Sequence, residues 1–319
     1  MSQVNDSAAS SIVIVGSGIS VPDHLTLQGI RALTDAAEIW TNASEALYGA
    51  IAQVTGKTPE SLWPFYRPDR PRRSNYVDVT AHLHERARAV GQVAYLTQGH
   101  PLVLDSVASN LLRARDSSGI AVSVIPGISS IDTILADIGY EPARGLQIFD
   151  ATTFVRLDAT VNASAGLLLL QPGVFGSDRA RTTADAPAPD LSGLMDALGR
   201  FYPRGHPVLL IRSATATMPK QEFRTEIGEL GRVPASALSA STLWVPPVQD
   251  ARPTGAGAAL PAASRRRRRL PREKDGRPVI TSMPWGTTRA NFSMRSPRHV
   301  GSLSKDAHCS VPTGKAGYM

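Results

Sequence analysis

The sequence is poor in cysteine, in aromatic residues and in long apolar runs. Its 319 residues include a single cysteine, Cys309, and only 6% aromatic side chains. One cysteine cannot form a disulfide within the chain, and no Cys and His residues have the spacing of a zinc site. Apolar runs such as Gly166–Leu170 are far shorter than the roughly 20 residues that a membrane-spanning helix needs. The sequence therefore indicates no metal, no oxidising compartment and no membrane span.

Residues 1–10 are polar and lack the basic and apolar regions of a signal peptide, so we expect a cytoplasmic location. The net charge of +7 is uneven: residues 248–319 hold 14 basic and 4 acidic residues, which leaves 20 basic and 23 acidic residues in 1–247. The last segment thus carries the excess of positive charge, including five arginines at 265–269. Such a run attracts phosphates nonspecifically. Because no aromatic residues interleave with it, we expect no specific nucleic-acid binding.

Hydrophobic periodicity predicts two α/β domains. Over 11–126, apolar strands at 12–15, 93–96 and 122–125 alternate with helices at 75–90, at 101–113 and after the cap Thr26, where Leu27, Ile30 and Leu33 recur at helical spacing. This half is predicted to be a parallel, doubly wound sheet. Over 127–247 we expect a helix at 131–138 and strands at 146–149, 167–170, 208–212, 222–227 and 242–245 that form a mixed sheet.

Low-complexity segments flank and interrupt these domains. Residues 176–189 are predicted to be a polar loop, and the periodicity stops after Pro246 and Pro247. The segment 248–319 is rich in Pro, Gly, Ser and Arg, and it cannot bury enough apolar surface to offset the entropy of ordering. We therefore expect residues 1–10 and the basic tail 248–319 to be disordered.

A glycine-containing turn, Val-Gly-Ser-Gly at 15–18, follows the first strand directly. It is a poor dinucleotide fingerprint, because Val21 stands in place of the third glycine and no acidic residue closes the second strand. The continuation Asp-His-Leu-Thr-Leu at 23–27 resembles the N-terminal signature of the tetrapyrrole (corrin/porphyrin) methylase superfamily. That resemblance implies that S-adenosylmethionine, as methyl donor, binds in a cleft between two α/β domains.

Two tyrosines and an arginine stand in the polar segment 65–76, at positions 66, 72 and 76, so that the spacing is six and then four positions. A phenol can take or relay a proton, and a planar guanidinium can hold a developing oxyanion. From spacing alone, a solvated basic loop covered by tyrosine rings is the simpler interpretation. The arrangement, however, resembles that of borosin peptide backbone α-N-methyltransferases, a branch of the same superfamily. That resemblance implies that Tyr66, Arg72 and Tyr76 are catalytic.

An amide nitrogen explains the need for such groups, because it becomes nucleophilic only as its proton leaves and negative charge accumulates on the carbonyl oxygen. The resemblance implies that Tyr76 removes or relays this proton. It further implies that Arg72 stabilises the oxygen and that Tyr66 positions the amide near the methyl group.

The turn after the strand at 93–96 contains Gly-His-Pro at 99–101. Corrin methylases usually carry Asp-Pro here and the borosin branch His-Pro, so His100 favours the peptide branch, although a lone loop histidine also fits a structural role. The borosin pattern has a tyrosine where this chain has Gln98. The likeness continues through 126–130 to the segment Ser-Thr-Leu-Trp-Val-Pro-Pro at 241–247. It implies that the cofactor is bound by Gln98, His100, Val103, Ser130, Gln171, Ser213, Ser241 and Thr242.

Three functional classes remain. The favoured one is an S-adenosylmethionine-dependent methyltransferase that α-N-methylates a separate ribosomal precursor peptide, because the tail offers only the apolar stretch 278–284 as a substrate in cis. The alternatives are a methylase of a tetrapyrrole or other small molecule, and a non-catalytic scaffold of the same fold, at which Gln98 hints. The small polar residues at strand ends also fit a purely structural role. The resemblance further implies a homodimer.

Overall fold

The computed structural model describes residues 10–179 and 187–248, which contain two five-stranded sheets with helices packed against them. The strands are β1 (Ser11–Gly16), β2 (Glu38–Thr41), β3 (Glu60–Ser61), β4 (Gln92–Thr97), β5 (Ala121–Ile125), β6 (Leu146–Asp150), β7 (Gly166–Leu170), β8 (Pro207–Arg212), β9 (Gln221–Glu226) and β10 (Thr242–Val245). The helices are α1 (Leu27–Asp35), α2 (Tyr48–Thr55), α3 (Arg72–Val90), α4 (Ser106–Ser118), α5 (Ser130–Ile138), α6 (Ala151–Arg156), α7 (Ser192–Gly199) and α8 (Ala235–Leu238).

Some expectations lie outside these residues. The disorder expected over 1–9 and 249–319 concerns residues that the structure does not describe, and so does the loop expected over 180–186. The arginine run at 265–269 and Cys309 also lie outside the described residues. The rest of that loop, 176–179 and 187–189, contains neither helix nor strand. Among the described residues, none of the helices combines the length and the apolar character needed to cross a membrane.

The first sheet is entirely parallel, with the strand order β3-β2-β4-β1-β5. Its inner strand β1, between β4 and β5, is buried over Ile12–Gly16 because helices cover both faces, as the near-continuous Ile and Val run predicts. The second sheet has the order β6-β7-β10-β8-β9, and only the β6–β7 pair is parallel. The predicted combination of a parallel and a mixed α/β sheet is therefore confirmed.

Several predicted helix limits are wrong. The helix predicted at 101–113 begins only at Ser106, because Asp105 caps it and Leu104 before it has a left-handed backbone with φ of 60°. The helix predicted from residue 75 begins at Arg72. Thr26 caps α1 as predicted, but Leu27 is 75% exposed and only Leu33 of the apolar series is fully buried. The helices α2, α6, α7 and α8 are absent from the sequence-based prediction.

Three glycines bring together the carboxyl ends of the adjacent strands β4, β1 and β5. Gly16 ends β1, while Gly99 and Gly127 follow β4 and β5 by two residues. A Cβ atom on Gly127 would lie 2.5 Å from the Gly99 carbonyl oxygen and 2.6 Å from the Gly16 carbonyl carbon. Only glycine permits this close backbone approach. Because ligands of open parallel sheets bind beyond the carboxyl ends of the strands, the glycine contact marks the edge where a site is expected.

Candidate active site

A cavity of about 670 Å³ lies at this edge, and residues that follow strands of both sheets form its wall. Asn42 and Thr97 belong to the first sheet's edge, whereas Gln171, Ser213 and Thr242 belong to the second. The volume falls within the range of small-molecule and cofactor sites. Within 10–179 and 187–248, no group of three or more His, Cys, Asp or Glu side chains could hold a metal ion.

The structure brings every predicted site residue except Arg72 to the cavity wall. The predicted residues that line the cavity are Tyr66, Tyr76, Gln98, His100, Val103, Ser130, Gln171, Ser213, Ser241 and Thr242. They span most of the described chain. Gln98, Gln171 and Ser213 directly follow the carboxyl ends of β4, β7 and β8, whereas Ser241 and Thr242 stand at the start of the antiparallel β10.

Two of the small hydroxyl side chains on the wall donate within the protein. Ser213 Oγ donates to Asp137 Oδ2 at 2.6 Å, and Asp137 Oδ1 pairs with Lys220 at 3.2 Å. Ser241 Oγ donates to the Leu238 carbonyl oxygen at 3.0 Å. Each hydroxyl oxygen keeps lone pairs that can accept a hydrogen bond from a ligand. These serines are consequently held in fixed positions as acceptors.

Backbone strain is concentrated at the same cavity. Four described non-glycine residues have a positive φ, and three of them, Leu104, Gln171 and Ala240, line the cavity. Each such conformation costs about 1–3 kcal/mol and is typical of ligand-binding sites. Leu104 and Ala240 directly precede Asp105 and Ser241. The strained backbone therefore helps to set the direction of these two polar side chains.

Tyr66 and Tyr76 meet on one side of the cavity. Tyr66 follows a short 3₁₀ turn at Trp63–Phe65, and Tyr76 lies in the second turn of α3. Their ring centroids are 6.2 Å apart with an interplanar angle of 69°, which is an edge-to-face contact. Burial raises the pKa of Tyr66 to about 12, and the neighbouring Asn42 side chain acts in the opposite direction. Burial also raises the pKa of Tyr76, whereas the positive charge of Arg72 lowers it. Both phenols are therefore protonated near neutral pH.

Arg72 stands beside this pair without lining the cavity. It is the first residue of α3, and its backbone N–H donates to the Asp178 carbonyl oxygen at 2.7 Å. Its guanidinium forms no ion pair or side-chain hydrogen bond with the residues that the structure describes, while its charge acts on the Tyr76 phenol. A half-buried cation without a described ion-pair partner therefore lies near the neutral phenol of Tyr76.

Asp105 is the functional candidate that the sequence-based reasoning missed. It lines the cavity, its Oδ1 accepts the Ala108 N–H at 2.9 Å, and its Oδ2 accepts the Tyr95 hydroxyl at 2.9 Å. An aspartate directly before a serine-led helical run is an N-cap signal. That signal was lost because the helix was predicted to start at 101.

The raised pKa of Tyr66 can be measured by following tyrosinate absorption against pH. The difference between the wild-type chain and Tyr66→Phe is expected to show one phenol that ionises near pH 12, because burial disfavours its charged form. The pKa of Tyr66 in the folded chain lies above the usual value of 10. The contribution of its neutral phenol to the stability of the fold is therefore fully present below pH 10 and is lost as the pH rises towards 12. Far-UV circular dichroism in parallel shows that the chain is folded at each point. A midpoint near 10 in the folded chain would contradict the burial described.

Comparisons with known proteins agree with this architecture. A model of the tetrapyrrole (corrin/porphyrin) methylase family matches residues 11–231. A methyltransferase/ribosomally synthesized type I borosin cyclic peptide precursor of Coprinopsis marcescibilis is 25% identical over 311 residues, which cover 95% of this chain and 77% of that protein. The methyltransferase/ribosomally synthesized omphalotin A precursor of Omphalotus olearius is 26% identical over 246 residues, 75% of this chain. The chain covers only 58% of that second relative.

Solved structures share the fold at low sequence identity. Uroporphyrin-III C-methyltransferase from Thermus thermophilus matches 75% of this chain and 92% of its own length, with a TM-score of 0.51 at 20% identity. Its complex with S-adenosylhomocysteine matches 74% of this chain and 92% of its own length, with a TM-score of 0.50 at 17% identity. The family match covers more than half of the chain. The chain belongs to the tetrapyrrole (corrin/porphyrin) methylase family of S-adenosylmethionine-dependent methyltransferases.

Proposed function

We propose that this methyltransferase α-N-methylates backbone amides of a ribosomal precursor peptide. The observation that supports this most strongly is the group formed by Tyr66, Tyr76 and Arg72, two neutral phenols with an uncompensated guanidinium at the edge of the cavity. An amide presents a carbonyl oxygen and an N–H in one plane, and it needs a hydrogen-bond donor for the first and an acceptor for the second. The fusion of methyltransferase and peptide precursor in the names of the relatives supports the same substrate class.

The three side chains divide the chemistry in this proposal. Arg72 stabilises the negative charge that develops on the amide oxygen, because its guanidinium has no described ion-pair partner and its positive charge acts on this side of the cavity. Tyr66 donates a hydrogen bond and holds the amide plane. Tyr76 relays the amide proton rather than acting as a resident tyrosinate, since burial keeps its phenol neutral.

We also propose that S-adenosylmethionine occupies the part of the cavity lined by residues that follow β4, β7 and β8 and by the start of α5. When bound, it supplies the methyl group and leaves as a neutral thioether. The wall fits such a ligand: the hydroxyl oxygens of Ser213 and Ser241 can accept hydrogen bonds, and Arg212 Nε is buried without a described partner. The residues proposed to hold the cofactor are Gln98, His100, Val103, Ser130, Gln171, Ser213, Ser241 and Thr242.

The peptide is proposed to be a separate chain. Residues 249–319 contain only the stretch 278–284 as an apolar candidate for methylation. The match with the Coprinopsis relative covers 95% of this chain and therefore reaches into residues 249–319. Methylation of the chain itself is therefore the alternative that the experiment has to distinguish. We further propose that the enzyme is a cytoplasmic homodimer. Light scattering of the purified chain tests the oligomeric state.

Intact-mass spectrometry tests the proposed function. The purified chain is incubated with S-adenosylmethionine and, in separate reactions, with short peptides encoded beside it and with a uroporphyrinogen. Methyl increments on a peptide are the expected result. Increments on the chain alone would show a substrate in cis, and increments only on the tetrapyrrole would replace the peptide proposal with that of a small-molecule methylase. Cofactor binding with no product in any reaction would favour a scaffold.

A further inference from the structure

We propose that Asp105 is the final acceptor of the proton that leaves the methylated nitrogen, and so belongs to the catalytic group with Tyr66, Tyr76 and Arg72. The inference rests on the proposed function, because only a substrate whose nitrogen loses a proton on methylation needs such a base. Nothing in the likeness to the family assigns a role to this position.

The geometry places Asp105 at the phenol side of the cavity. Its carboxylate lies on the same wall as Tyr66 and Tyr76, and its negative charge acts on both phenols and on Tyr95. The fully buried Tyr95 hydroxyl donates to Oδ2 at 2.9 Å, and the Ala108 N–H donates to Oδ1 at 2.9 Å. Two donors thus fix both oxygens. Each carboxylate oxygen has further lone pairs, so the group can still accept a proton.

The chemistry requires an acceptor other than the phenols. Methyl transfer to an amide N–H releases one proton for each methyl group added. Tyr66 and Tyr76 are neutral in the buried site, so either can pass a proton on but neither can keep a second one. Among the described residues of the cavity wall, Asp105 is the only one with a carboxylate side chain. It is also half-exposed and can release the proton to solvent.

The step balances as follows. The amide nitrogen forms a bond to the methyl carbon, and the carbon–sulfur bond breaks with its electron pair moving to sulfur, which becomes a neutral thioether. The N–H proton passes to Tyr76 Oη as that phenol gives its own proton to Asp105. The nitrogen becomes strongly acidic as the new bond forms, so a carboxylate suffices as the final base. Asp105 then returns to the carboxylate by losing the proton to water.

A purely structural role for Asp105 must be separated from this one, because Asp105 also caps α4 and anchors Tyr95. Asparagine and serine are N-cap residues of similar quality to aspartate. Asp105→Asn and Asp105→Ser therefore preserve the cap but remove the base. Asp150 offers a matched control, since its Oδ1 caps α6 through the Thr153 N–H at 2.8 Å and it lies outside the cavity wall.

The test measures single-turnover methylation of the peptide at saturating S-adenosylmethionine, with cofactor affinity and melting temperature for each variant. Asp105→Asn and Asp105→Ser are expected to lose at least about 100-fold in rate, the usual contribution of a general base. Cofactor affinity should be unchanged, and Asp150→Asn should methylate at the wild-type rate. Formate is expected to restore part of the Asp105→Ser rate in a saturable manner, because the smaller side chain leaves room for an external carboxylate.

Three results would overturn the proposal. Methylation at the wild-type rate by a folded Asp105 variant would exclude Asp105 as the base. A rate loss that formate does not relieve, matched by a similar loss in Asp150→Asn, would assign the effect to capping alone. If the wild-type chain methylates only a tetrapyrrole, there is no amide proton for Asp105 to accept, and the proposed function itself is overturned. This outcome is seen in the wild type and does not depend on the variants.

Discussion

Replacing Arg72 by alanine is expected to lower the peptide methylation rate by about 100- to 1000-fold, the loss that follows removal of one donor to a developing oxyanion. The half-buried guanidinium has no described ion-pair partner, so its charge is available to the amide oxygen and to Tyr76. Cofactor affinity is expected to change little, because Arg72 does not line the cavity. Single-turnover kinetics and cofactor titration measure the two effects separately.

The next residue of the same helix supplies the control. Arg73 is exposed and faces the surface between α3 and α4, so Arg73→Ala removes the same charge from the same turn without touching the phenol pair. Its rate should match the wild type. Equal rate losses in the two variants would show that net positive charge near the cavity, rather than the position of Arg72, is what matters. An undiminished rate in Arg72→Ala would remove Arg72 from the mechanism.

Gly127→Ala is expected to destabilise the fold by about 1–3 kcal/mol and to weaken S-adenosylmethionine binding. The new methyl group would lie 2.5 Å from the backbone of Gly99 and 2.6 Å from that of Gly16, and backbone cannot rotate away as a flexible side chain can. The turns after β1, β4 and β5 must therefore move apart, and these turns precede residues of the cavity wall. Urea denaturation measures the first effect and calorimetric titration the second.

Gly49→Ala is the matched control for this substitution. Gly49 lies in α2, where an added Cβ meets nothing within 4 Å. Alanine is the better helix former, so this variant is expected to gain about 0.5–1 kcal/mol of stability. A Gly127→Ala chain that is as stable as the wild type and binds the cofactor equally well would show that the three-glycine contact does not hold the cavity in shape.

Much of the fold is predictable from local pattern because the buried strands are nearly continuous apolar runs. β1 and β7 have this character, and both were located to within one residue. The helix limits depend on less regular features. Asp105 caps α4 only because Leu104 adopts a left-handed backbone, which no propensity rule assigns to leucine. Leu27 fits the apolar period of α1, yet it is exposed because the helix presents Gly29 and Leu33 to the sheet.

The residues that line the cavity were easier to predict from the sequence than their chemical environment. A likeness of ordered motifs selected residues from Tyr66 to Thr242, and all of them except Arg72 lie on the wall of one cavity. The protonation state of the phenols could not be read from the sequence, because it depends on burial and on the distances to Arg72 and Asp105 in the folded chain. Asp105 was missed because the helix was predicted to begin at 101, so its N-cap position was not recognised. Its hydrogen bond with Tyr95 forms only in the folded chain.

Tandem mass spectrometry of the methylated product tests the central claim most directly. The peptide is co-expressed with the wild-type chain and with Arg72→Ala, and fragmentation locates each methyl group within a residue. The account predicts increments on backbone nitrogen atoms of a separate peptide in the wild type and almost none in the variant. Methyl groups on side chains, or backbone methylation that persists in Arg72→Ala, would contradict it.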